Sequence, residues 1–183
     1  MDHHGKSTIV TIFGSSRPGE SEELYKNARR LGMLLAQSGL VVCNGGYGGV
    51  MEASARGAKE AGGTTIGVLT DVFSRQPNAF IDKRIVEPDL VSRLMRLVEL
   101  GDAYVVLQGG TGTLLELSMV WELMNKTLMK SKPFFVMGEF WQPIITTVRR
   151  QLHSEGTDPS STLVELVRDV DECAEKLASR FTI

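Results

Sequence analysis

The stretch AYVVLQGGTGTLLE, residues 103–116, decides how the rest of the chain is read. Ala103–Leu107 is a continuous apolar run with no polar alternation, the pattern of a strand covered on both faces. Gln108-Gly109-Gly110-Thr111-Gly112-Thr113 then interrupts the run, and from Leu114 to Met129 apolar residues return at helical spacing. Strand, glycine turn and helix in that order form half of a βαβ unit. The same succession occurs twice upstream. Ser7–Phe13 leads into Gly14-Ser15-Ser16 and a helix over Ser21–Ser38, and Leu40–Cys43 leads into Asn44-Gly45-Gly46-Tyr47-Gly48-Gly49 and a helix over Val50–Ala61.

The remaining segments continue the alternation. Gly39 and Gly62-Gly63 stop the first two helices, and Thr64–Leu69 is a third strand. Asp71–Asp82 has no period and reads as a loop. Lys83–Val86 is a short strand, Asp89 caps a helix running to Leu100, and Pro133–Met137 is a strand. A helix over Gln142–Ser154, a loop over Gly156–Ser161, a strand over Thr162–Val167 and a helix over Val170–Phe181 complete the chain. Met1–Lys6 reads as a loose polar end. The expected fold is α/β: a three-layer, doubly wound, mostly parallel, Rossmann-like sheet, with residues 1–183 forming a single nucleotide-binding domain.

Composition narrows the function classes. The chain has 183 residues, 20 basic and 22 acidic, for a net charge of −2, and a pI near 5.9. That balance lacks the positive field a nucleic-acid polymer or an anionic membrane surface selects. No apolar run approaches the roughly 20 residues of a membrane span, and no signal-peptide pattern opens the chain, so a cytoplasmic protein is expected. Cys43 and Cys173 are expected as small core thiols rather than a disulfide framework. Glycine is in excess, with 19 in the chain.

Those glycines cluster in the three loops that leave strand ends and enter helices, the edge where open α/β sheets bind ligands. Backbone N–H groups there, backed by a helix N-terminus, hold an anion without net positive charge. The candidate phosphate or nucleotide residues are Gly14, Ser15, Gly45, Gly46, Gly48, Gly109, Gly110, Thr111, Gly112 and Thr113. Gly5-Lys6-Ser7 precedes the first strand and lacks the upstream glycine of a P-loop. Gly46-Tyr47-Gly48 has Met51 where a dinucleotide fingerprint has its third glycine. Glu116 reads equally as a catalytic carboxylate facing the loop or as the partner of Thr113 in a capping box. Arg93 and Arg96 lie three apart, on the side of their helix away from Leu90, Leu94, Leu97 and Val98. They fit an anion-facing pair or a solvated face, with Arg96 paired to Glu99. Tyr47 fits a base-stacking ring or a surface tyrosine. His3, His4 and His153 show no metal-ligand spacing, so neither metal nor cofactor is expected.

Gly109-Gly110-Thr111-Gly112-Thr113-Leu114-Leu115-Glu116 resembles the GGxGTxxE motif of the LOG family, the cytokinin riboside 5′-monophosphate phosphoribohydrolases often labelled lysine decarboxylase-like. Phe13-Gly14-Ser15-Ser16 is similar to that family's first loop, and Gly45-Gly46-Tyr47-Gly48-Gly49-Val50-Met51 to its GGGxxGLM segment. The resemblance implies Arg93 and Glu116 as the catalytic pair. It also implies hydrolysis of the N-glycosidic bond of a purine nucleoside 5′-monophosphate, with adenine or a cytokinin-type base, and a homodimer contacting through the helix that bears Met119, Trp121 and Met124. Leu94 stands where the family has a lysine, and Gln108 where a proline often precedes the motif, as in a divergent member. The alternatives are a non-catalytic nucleotide or molybdenum-cofactor carrier of the same fold and, third, a pyridoxal-phosphate decarboxylase. No lysine is placed beside the glycine loops for the last.

Overall fold

The computed structural model describes residues 7–156 and 162–181. In chain order the elements are β1 (Ile9–Phe13), α1 (Glu23–Gln37), β2 (Val41–Asn44), α2 (Val50–Glu60), β3 (Thr65–Thr70), β4 (Lys83–Glu87), α3 (Leu90–Leu100), β5 (Ala103–Val106), α4 (Thr111–Asn125), β6 (Phe134–Met137), α5 (Gly138–Ser154), β7 (Glu165–Val167) and α6 (Val170–Phe181). All seven strands lie in one sheet in the order β4-β3-β2-β1-β5-β6-β7, and each neighbouring pair is parallel. This is the doubly wound α/β arrangement that the repeated strand–loop–helix pattern implies. The expected loose end and most of the loop after Gly156 lie outside the described residues.

Continuous burial explains why the central strands read as unbroken apolar runs. β2, β3, β5 and β6 are buried at every position, whereas edge strand β4 is mostly exposed. Val10 and Ile12 of β1 face a layer made by α1, α2 and α6, with Leu31, Leu35, Ala53 and Leu177 in its core. Phe13, Cys43 and Val68 face the opposite layer of α3, α4 and α5, with Leu97, Leu117, Trp121 and Trp141. Cys43 and Cys173 are both buried free thiols, as expected.

Helices α1 and α2 approach so closely that side chains are excluded at the crossing. A Cβ on Gly32 would lie 1.9 Å from the Ser54 carbonyl oxygen, and one on Gly57 would lie 1.8 Å from that of Arg29. The chain reverses its winding between β4 and β5, so β1 and β5 become neighbours while their connections leave in opposite directions. In such sheets the crevice beyond the carboxyl ends of those two strands is open to a ligand.

Helix α4 begins at Thr111, three residues before the expected start, with Gly110 as its N-cap. Thr113 is therefore inside the first turn, and Glu116 lies in the second. The capping box, one of the two readings of Glu116, is not formed, which leaves the carboxyl free of that role. Helix α5 likewise starts at Gly138 rather than Gln142 and takes Pro143 into its body.

Candidate active site at the switch point

The three glycine loops are fastened to one another by main chain. Ser15 N–H donates to the Gln108 carbonyl at 3.0 Å, and the Ser15 carbonyl accepts from Val50 N–H at 2.8 Å. One residue of the loop after β1 thereby links the loop after β5 to the start of α2. The middle loop is held from within. Asn44 accepts from Gly46 N–H at 2.8 Å and donates to the Met51 carbonyl at 2.8 Å. Asn78 donates to the Tyr47 carbonyl at 2.8 Å, and its own N–H bonds the Gly46 carbonyl at 2.9 Å. The sequence reading placed Asn44 in the glycine loop without giving it a role and did not single out Asn78, although an asparagine two residues before a glycine is an Asx-turn pattern.

These loops enclose a cleft of about 450 Å³, lined by Gly14–Arg17, Tyr47, Met51, Phe73, Arg75, Leu90, Arg93, Leu94, Gly110–Thr113, Leu115 and Glu116. Its size is that of a small-molecule site. The first intrahelical bond of α4 runs from Leu114 N–H to the Gly110 carbonyl. The N–H groups of Thr111, Gly112 and Thr113 precede it and have no acceptor in the helix. They give the cleft a ready anion position.

Arg93 enters this site from α3, and its placement corrects the sequence reading. It is only 6% exposed, while Leu90, assigned to the buried stripe, is 44% exposed. The guanidinium is not on a solvated face. Its Nε donates to the Val68 carbonyl at 2.8 Å and Nη2 to the Gly45 carbonyl at 3.1 Å. It also lies 5.6 Å from the ring centre of Tyr47 and 5.9 Å from that of Phe73. Two carbonyls and two aromatic faces make burial of the cation tolerable. Gly45 belongs to this arrangement, because a Cβ there would sit 1.8 Å from Nη2.

Tyr47 is likewise not a surface residue. It is buried, and its hydroxyl donates to the Thr70 carbonyl and accepts from Thr70 N–H at 3.0 Å. Its ring meets Phe73 edge-on with centres 5.7 Å apart. Arg96 stays outside the cleft, where it pairs with Glu87 and with Glu99, the latter as its spacing implies. Gly45, Gly46, Gly48 and Gly109 shape the loops without lining the cleft, whereas Gly14, Ser15 and Gly110–Thr113 line it directly.

Glu116 closes the far side. Desolvation pushes its carboxyl up from 4.5 to about 7, and the nearby Arg93 charge pulls it part of the way back. The pair therefore couples a carboxyl poised near neutrality to a fixed cation, with an anion-binding helix end beside both. Among the described residues, no group of three or more His, Cys, Asp or Glu is arranged to hold a metal ion. No helix among the described residues is long and apolar enough to cross a membrane.

A doubly wound parallel sheet with an anion-ready cleft and a perturbed acid at its switch point defines an α/β protein with a candidate small-molecule site. Residues 7–166 match the model of the SLOG cluster4 family, and the chain belongs to that family. It is 30% identical over 147 residues to a cytokinin riboside 5′-monophosphate phosphoribohydrolase of Rhodococcoides fascians, covering 76% of this chain and 73% of that one. A pyrimidine/purine nucleotide 5′-monophosphate nucleosidase of Escherichia coli is 30% identical over 125 residues, 63% of this chain but 27% of that larger protein. Among solved structures, the molybdenum cofactor binding protein of Rippkaea orientalis is 27% identical with a TM-score of 0.74, covering 96% of this chain and 98% of that one.

Proposed function

We propose that the protein hydrolyses the N-glycosidic bond of a purine nucleoside 5′-monophosphate, releasing the base and ribose 5-phosphate. The observation that carries this reading is the Glu116 carboxyl, held near pKa 7 beside Arg93 in the cleft that the α4 N-terminus opens onto. The 5′-phosphate sits on the N–H groups of Thr111, Gly112 and Thr113, with the Ser15, Ser16 and Thr111 hydroxyls as further donors. The ribose then lies toward Glu116, and the base against Met51, Phe73, Leu90 and Leu94.

Breaking the glycosidic bond leaves an oxocarbenium-like sugar. The base departs with the bonding pair of the broken C–N bond. An ionised Glu116 stabilises the sugar's charge, takes a proton from the attacking water and returns it to the departing base, a role suited to a group titrating near the working pH. Arg93 has committed two N–H groups to carbonyls, which fixes its plane and leaves the others to orient the nucleotide. No cofactor is invoked. The names of the Rhodococcoides and Escherichia relatives support the substrate class. The reading includes a cytoplasmic homodimer that contacts through α4, where Leu114 and Leu115 expose apolar surface.

The second reading is a non-catalytic carrier, and the likeness to a molybdenum cofactor binding protein favours it. Incubation with AMP and an N6-substituted AMP, followed by assay of free base and ribose 5-phosphate, separates the two. Hydrolysis lost in Glu116→Gln and Arg93→Ala supports the enzyme. Tight nucleotide binding with no product from either substrate supports the carrier.

A further inference from the structure

Strand β3 outruns its neighbour β2. Their register ends at Asn44 opposite Gly67, while β3 itself continues to Thr70. Val68 and Thr70 are buried, and a main-chain group left unpaired there is costly. Side chains take the place of the missing strand. Arg93 Nε donates to the Val68 carbonyl at 2.8 Å. Further along, the Tyr47 hydroxyl donates to the Thr70 carbonyl at 3.1 Å and accepts from Thr70 N–H at 3.0 Å. Arg93 and Tyr47 are thus mounted on the same short overhang of strand.

Tyr47 is the joint between that overhang, the glycine loop and the segment leading to β4. Its carbonyl accepts from Asn78 Nδ2 at 2.8 Å, so its two oxygens hold both ends of the segment from Thr70 to Asn78. Its ring centre lies 5.6 Å from the Arg93 guanidinium carbon, and the ring meets Phe73 of that segment edge-on with centres 5.7 Å apart. At 4% exposure it offers too little ring for a base to stack on. Ring packing alone needs no hydroxyl, yet this one makes two bonds to a single residue. Those bonds fix where the ring lies, and the ring face in turn attracts and confines the guanidinium.

We propose that Tyr47 is a positioning residue, whose hydroxyl, anchored on Thr70, sets the ring that holds Arg93 toward the nucleotide. It acts through Arg93 and touches no reacting atom. This rests on the hydrolytic reading above for the task of Arg93, but the hold of Tyr47 on the guanidinium is a property of the fold.

Tyr47→Phe removes the hydroxyl, keeps the ring and is read in two ways. The first is hydrolysis of AMP and N6-substituted AMP across pH. Misplacing Arg93 by about 1 Å should lower kcat by up to about 100-fold. KM should stay within about twofold, because the α4 N-terminus still holds the phosphate. The Arg93 charge draws the Glu116 carboxyl down, so a guanidinium that has moved away should shift the acidic limb of kcat/KM to higher pH. Loss of folded protein would lower activity without moving that limb. Tyr47→Leu, which removes the ring as well, should move the limb as far as Arg93→Ala does. The second readout needs no turnover. The Arg93 Nε–H resonance, assigned by its absence from Arg93→Ala, should exchange slowly with solvent in wild type and faster in Tyr47→Phe. A variant with unaltered limb and unaltered exchange, whether or not kcat falls, overturns the positioning role and leaves hydrolysis standing. Absence of hydrolysis in wild type, with exchange still accelerated in Tyr47→Phe, overturns the hydrolytic reading and keeps the hold of Tyr47 on Arg93. Absence of both effects overturns both.

Discussion

Glu116 differs from the other carboxyl groups whose titration is displaced. Glu60, Asp82, Asp89, Asp171 and Glu172 are all pulled down by donors or cations, while Glu116 is pushed up to about 7. Between pH 4.5 and 7 the unfolded chain ionises this carboxyl while the folded protein keeps it protonated, so stability falls as pH rises through that window. Urea denaturation at pH 4 and pH 8 should therefore show wild type losing up to about 3 kcal/mol that Glu116→Gln retains, at about 1.4 kcal/mol per pKa unit. The same variant should cut hydrolysis roughly 100- to 10,000-fold, and wild-type kcat/KM should rise to a plateau above about pH 7. Gly45→Ala tests Arg93 in turn. The new Cβ displaces Nη2, so activity should fall as far as in Arg93→Ala, with a loss of stability seen in the same urea titration. The burial of Arg93 was not legible in the sequence. Its carbonyl partners lie 25 and 48 residues away, and leucine spacing on α3 placed the arginine on the wrong side.

At the scale of elements, the sequence was informative where a local rule acts alone. Asp89 accepts from Val91 N–H at 2.8 Å and Ser92 N–H at 2.9 Å, the N-cap that its position before α3 implied. Asp89→Ala should cost about 1 kcal/mol in urea denaturation. Because α3 carries Arg93, it should also raise KM more than it lowers kcat. Local rules failed where tertiary contacts choose among them. Thr113 and Glu116 fit a capping box, but main-chain bonds from Ser15 to Gln108 and Val50 fix the loop so that Gly110 caps α4 instead. The segment from Asp71 to Asp82 was legible only as a loop, since its structure comes from Asn78 reaching across to Tyr47 and Gly46. Asn78→Ala should loosen Phe73 and Arg75 against the cleft. Nucleotide affinity should weaken several-fold, while unfolding shifts by only about 1 kcal/mol.

For the whole molecule, the order of strands matters more than any one helix. β1 is bonded to β2 on one side and to β5 on the other, so the two halves of the winding share a central strand and a continuous sheet. The cleft sits on that seam, with Ser15 from one half bonded to Gln108 from the other. Both tryptophans of the chain, Trp121 and Trp141, lie in the layer of α3, α4 and α5. Fluorescence therefore reports one layer, while far-UV circular dichroism reports all the helices. A shared sheet predicts coincident urea transitions by the two probes. In the Glu116→Gln protein, which should bind without turnover, AMP at about 100 times its dissociation constant should move both midpoints together, by the equivalent of about 2.7 kcal/mol. If nucleotide shifted the fluorescence transition and left the dichroism transition behind, the layers would be folding apart. The cleft would then belong to the α3–α5 layer alone, and the seam between β1 and β5 would not couple ligand to fold.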